Sequence, residues 1–186
     1  MGHSSGVHTA AALAGVTMVI NQMYDYCLSN HAKADLGCSY GEKETLKQAG
    51  HVAHKFSFGL DSHVTGIIML NPAMGPASTK ASMNSVKVPT LIIGSQNNDF
   101  LPFDYHAKSY AHNIPNAKLV ALNSDEGHFV YINSCENNYK ARGVSLCQDR
   151  EGVDRAQVYQ KMLGHILKFV SDKSQAVTQL IFRCNG

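Results

Sequence analysis

The chain has 186 residues, 44% of them hydrophobic, and its 16 basic and 14 acidic side chains leave a net charge of +2. That length suits one domain with a sizeable core, and charges scattered without runs argue against nucleic-acid or anionic-membrane binding as the main task. No stretch approaches the eighteen or so continuous apolar residues of a membrane span.

The first residues, Gly2-His3-Ser4-Ser5-Gly6, fit G-x-S-x-G, a sharp turn that carries a serine from a strand into a helix. The two glycines are expected to leave room for the turn that lifts the Ser4 hydroxyl off the backbone. Residues 7–26 carry Val7, Ala10, Ala11, Ala14, Met18 and Met23 at rough helical spacing and predict a helix. Only Met1, Gly2 and His3 precede Ser4, so the strand feeding the turn is almost missing. Residues 1–171 are therefore expected to form the C-terminal portion of a larger domain, with a patternless tail over 172–186.

Residues 27–50 are polar and glycine-punctuated. His51-Val52-Ala53-His54 has H-x-x-H spacing but no third ligand in view, so it is expected to be solvated surface, and no metal is expected. Val64–Leu70 and Val88–Gly94 are short apolar runs, which predict strands buried on both faces of a parallel sheet. A loop rich in Gly, Pro and Ser separates them (residues 71–85). Pro102 to His112 predicts a helix with Phe103, Ala107, Tyr110 and Ala111 on one face, and Lys118–Leu122 predicts a third strand. From Asp154 onward Tyr159, Met162, Leu163, Ile166, Leu167 and Val170 predict an amphipathic closing helix.

Strands alternating with helices are the order of an α/β fold with a parallel sheet, whose functional residues sit at the carboxyl ends of the strands. Ser4, Asp99 and His128 fall at such ends. A serine hydroxyl attacks only when a base takes its proton, and that base needs an acid to hold its tautomer. The order Ser4, Asp99, His128 is nucleophile, acid, histidine. Asp99 is the preferred acid, although counting back from Pro102 without a gap would put Asn98 there. An asparagine could hold the ring but could not stabilise an imidazolium by charge. Asp104 and Asp125 are poorer substitutes.

Five cysteines are present. Cys27 with Cys38 and Cys135 with Cys147 each bracket a polar segment, a spacing that suits two disulfide-closed loops and an oxidising compartment, periplasmic or extracellular. Five reduced thiols in a cytosolic protein is the plainer alternative.

With these residues in view, the chain resembles the C-terminal part of an α/β-hydrolase. It is similar to bacterial predicted dienelactone hydrolases and to serine esterases of the platelet-activating-factor acetylhydrolase type. The likeness is carried by Gly2-His3-Ser4-Ser5-Gly6, Val88-Pro89-Thr90-Leu91-Ile92-Ile93-Gly94 with Asp99 and Pro102, Gly127-His128-Phe129, the Cys135…Cys147 segment and Gly152-Val153-Asp154-Arg155. True dienelactone hydrolases use a cysteine nucleophile, so the serine here argues against that substrate. Val7 stands where the family has glycine or alanine. The resemblance implies an α/β-hydrolase fold and hydrolysis of a small-molecule carboxylic ester without a cofactor. It also implies that the Ser5 N–H is one oxyanion donor, the second coming from a loop before the turn. Partners expected besides substrate are the absent N-terminal half or a second copy across an open sheet edge. A non-catalytic remnant, or an acyltransferase or peptidase on the same fold, are the competing expectations.

Overall fold

The computed structural model describes residues 1–40 and 55–184, with side chains as far as Asp172. His51 and His54 lie outside the described residues.

The chain forms an α/β fold around a four-stranded, all-parallel sheet. Its strands are β1 (Gly2–His3), β4 (Ile67–Leu70), β5 (Thr90–Ser95) and β6 (Ala117–Leu122), in the spatial order β1-β4-β5-β6. In register, Gly2 faces Met69, Met69 faces Ile92, and Ile92 faces Leu119. Two short antiparallel pairs lie outside this sheet: β2 (Met18–Val19) with β3 (Lys55–Phe56), and β7 (Lys140–Ala141) with β8 (Val144–Ser145).

Alternation along the strands divides the core. Ile67, Met69 and Ile92 point to one face, where Val7, Ala10 and Ala11 of α1 (Gly6–Leu13) and Ala107 and Tyr110 of α4 (Ala107–Asn113) cover them. Leu70, Leu91 and Ile93 point to the other, where Val158, Met162, Ile166 and Phe169 of α5 (Arg155–Cys184) close over them. Every residue of β5 is buried. Covered on both sides, it has no solvent face on which polar residues could alternate, and so it reads as a continuous apolar run.

Three details depart from the sequence expectation. The single helix over 7–26 is two, α1 and α2 (Ile20–Leu28). Gly15 takes φ +91°, and the N–H groups of Gly15 and Val16 bond back to Ala12 and Ala11 carbonyls at 3.0 and 2.9 Å. A left-handed glycine stops a helix by capping its last carbonyls in this way. The loop over 71–85 contains a short helix, α3 (Lys80–Asn84), whose first turn is capped by the Thr79 side chain accepting from the Ser82 N–H. The closing helix does not stop at a tail but continues to Cys184, and its expected stripe is split: Met162 and Ile166 pack on the sheet, while Leu163, Leu167 and Val170 are exposed.

Both expected disulfides are present, Cys27–Cys38 and Cys135–Cys147. They span 11 and 12 residues, and loops of that size contribute about 3 kcal/mol each by restricting the unfolded chain. The second loop is further tied to α5 by Arg155. Its guanidinium donates to the Asp149 carboxylate at 2.7 and 2.8 Å and to the carbonyls of Ile132 and Leu146.

Candidate active site

β1 ends at Ser4, which sits at φ +53°, a conformation that costs a non-glycine residue roughly 1–2 kcal/mol. Tertiary bonds hold it there. The Ser4 N–H donates to the Leu70 carbonyl at 3.0 Å, and the Ser4 carbonyl accepts from the Val7 and Ala73 N–H groups at 3.1 and 3.2 Å. The turn is so tight that a Cβ on Gly2 would stand 2.4 Å from the Gly6 carbonyl oxygen. Gly6 itself is not required for space, because a Cβ there meets nothing within 4 Å. The crowding is all at Gly2. Ser5 follows as the exposed N-cap of α1, and its N–H has no hydrogen-bond partner among the described residues.

The loop after β6 delivers His128, whose Nε2 lies 2.8 Å from Ser4 Oγ. The residue is fully buried. Its ring is stacked on Phe100 with centroids 5.1 Å apart, meets the edge of Phe129 at 4.8 Å and lies 5.1 Å from the His3 ring. Burial in this box, and then the positive charge His3 or His106 would carry, push the His128 pKa down to about 3. His3 is depressed by burial as well, against the opposing effect of its bond to the His128 carbonyl at 3.0 Å. Neutral imidazole is thus the resting form of His128.

The expectation that Asp99 holds the histidine ring is corrected. Asp99 Oδ1 accepts from the backbone N–H of His128 at 2.8 Å. The residue whose side chain reaches the ring is Asn98, with its amide nitrogen 3.2 Å from Nδ1. The chain path after β5 explains the exchange. Asn98 Oδ1 accepts from the N–H groups of Phe100 and Leu101 at 2.9 and 2.8 Å, closing a turn that aims residue 98 at the ring and residue 99 at the loop backbone. Asp104 instead pairs with Lys108 at the surface. Asp125 is exposed and offers its carbonyl to Arg150.

No protein-family model, curated protein or solved structure matches the chain.

The site therefore rests on its own geometry. Serine and histidine are in hydrogen-bond contact at the carboxyl ends of parallel strands, with a helix N-terminus beside the serine. Such an end concentrates unpaired N–H groups and favours developing negative charge. Among the described residues there is no cluster of three metal-ligating side chains, and no helix is long and apolar enough to cross a membrane.

Sequence reasoning missed the supports of His128. Asn71, at φ +37° just past β4, sends its amide N–H groups to Ser95 Oγ and to the carbonyls of Gly127 and His128 at 3.1–3.2 Å, and accepts from the Ser95 N–H at 2.7 Å. This one side chain ties the ends of two strands to the histidine loop. Its only sequence signal is a polar residue closing an apolar run, which any strand end would show. Phe100 and His3 likewise gain their roles only from the packing around the ring.

Proposed function

We propose that the chain is a serine hydrolase of the α/β-hydrolase type that cleaves small-molecule carboxylic esters through an acyl-enzyme on Ser4. The observation that carries this reading is the 2.8 Å contact between Ser4 Oγ and His128 Nε2. It joins residues 124 positions apart in sequence, one of them held in a left-handed backbone conformation. Strain of that kind persists where surrounding structure enforces it, and it gathers at functional sites. In the reaction Ser4 Oγ attacks the ester carbonyl while its proton passes to Nε2. The same proton then goes to the leaving alcohol, and water repeats the sequence on the acyl-enzyme. The Ser5 N–H, at the start of α1, is the donor assigned to the oxyanion. Two disulfides fit an extracytoplasmic location, periplasmic or secreted.

A fluorophosphonate probe should label Ser4, and Ser4→Ala should lose both the label and hydrolysis of p-nitrophenyl acetate. His128→Ala should be about as damaging, since the two act as a unit. Undiminished hydrolysis by Ser4→Ala overturns the reading.

A further inference from the structure

Asn98 makes a demand on the histidine that an acid would not. Its Oδ1 is occupied by two backbone donors, Phe100 N–H at 2.9 Å and Leu101 N–H at 2.8 Å. Turning the amide over would lose both bonds and set its NH2 against two N–H groups, so the orientation is fixed. What faces Nδ1 of His128 is therefore an N–H donor, 3.2 Å away. A donor needs a lone pair to point at. Nδ1 must then be unprotonated, and a neutral imidazole carries its one proton on the other nitrogen. That nitrogen is Nε2, 2.8 Å from Ser4 Oγ. The bond that the nearby Asp99 carboxylate makes to His128 is from Oδ1 to the backbone N–H at 2.8 Å, and the side chain that meets Nδ1 is Asn98.

We propose that Asn98 is a positioning residue that holds His128 in the Nε2–H tautomer, so that the ring donates to Ser4 Oγ and the serine–histidine pair rests in a blocked state. This rests on reading Ser4 and His128 as a hydrolytic pair. In the blocked state Nε2 has no free electron pair, and the Ser4 proton has nowhere to go as the oxygen attacks. Turnover waits for the rarer tautomer with the proton on Nδ1, which sets two N–H donors face to face against Asn98. A carboxylate at position 98 reverses the preference. One oxygen would keep the Phe100 and Leu101 N–H bonds, the other would accept from Nδ1–H, and the Nε2 pair would be free to take the serine proton. Exchange of the buried aspartate for asparagine in a serine–histidine–aspartate site costs roughly 10⁴-fold in turnover by this same tautomer reversal. The opposite exchange is available here.

The test uses the full chain. Nitrogen-15 NMR of labelled histidine should find Nδ1 of His128 unprotonated and Nε2 protonated in the parent, and the reverse in Asn98→Asp. The variant should hydrolyse p-nitrophenyl acetate, and take a fluorophosphonate on Ser4, on the order of 10³–10⁴-fold faster. The double variant Ser4→Ala/Asn98→Asp should return to background. A parent ring already protonated on Nδ1 overturns the proposal without any variant having to fold. So does an Asn98→Asp protein with inverted tautomer and unchanged turnover, if Ser4→Ala still abolishes the parent's activity; the hydrolase reading then survives. If the tautomer inverts but hydrolysis is indifferent to Ser4→Ala in both backgrounds, the hold of Asn98 on the ring is supported and the hydrolase reading falls.

Discussion

Removing the Asp99 carboxylate should damage the fold of the histidine loop. Asp99 Oδ1 accepts from the His128 N–H at 2.8 Å, and this bond joins a half-buried carboxylate to a wholly buried residue. A hydrogen bond to a charged partner is worth about 1.5–3 kcal/mol, and an orphaned buried N–H costs a similar amount. Asp99→Ala should therefore lower stability by about 2–3 kcal/mol. In a domain of this length that corresponds to roughly 5–10 °C in Tm. Asp99→Asn keeps an oxygen at the same place and should cost about 1 kcal/mol or less. The assay is urea denaturation followed by circular dichroism, comparing midpoints at constant slope, with thermal melts alongside. Equal losses for Asp99→Ala and Asp99→Asn would mean that charge, not the acceptor, matters, and would refute the reasoning. So would a change of His128 ring tautomer in Asp99→Asn, because it would show that Asp99 addresses the ring.

Two further outcomes follow from the site. Gly2→Ala would place a methyl group 2.4 Å from the Gly6 oxygen and 2.7 Å from the Val7 nitrogen, backbone atoms that cannot rotate away, and should cost about 2 kcal/mol or more. Gly6→Ala meets nothing within 4 Å and should be neutral or stabilise α1 by about 0.5 kcal/mol, so denaturation midpoints that move equally for the two would refute this difference. Stability should also fall in acid through His128, whose pKa is about 3 in the fold, lowered by burial and then by His3 and His106. The unfolded chain binds that proton near pH 6.5, so this contribution is whole above about pH 6.5 and is lost as pH falls toward 3. About 3 kcal/mol should disappear between pH 7 and pH 4.5, a slope that His128→Gln should reduce and that equilibrium denaturation at both values would measure.

The sequence by itself determined the parallel sheet, because strands covered on both faces must be apolar throughout, and Ile67–Leu70 and Leu91–Ile93 are such runs. It also pointed to the turn at Ser4 and the placing of His128, since each depends on a short stretch of residues and its position relative to a strand, whereas the cysteine spacing suited two disulfides but left reduced thiols open until the fold paired them. It did not determine where the first helix breaks, because Gly15 is one small residue in an alanine-rich run and stops the helix only by taking φ +91°. Nor could periodicity say which half of the α5 stripe would meet the sheet, since Leu163 and Met162 are both apolar and only the docking angle packs Met162 against the core and leaves Leu163 exposed. The choice between Asn98 and Asp99 belonged wholly to the tertiary structure. They are adjacent and similar in shape, so composition favours the charged one. The turn closed by Phe100 and Leu101 on the Asn98 oxygen, with the loop that Asn71 ties down beside it, points the amide at the ring and the carboxylate at the backbone.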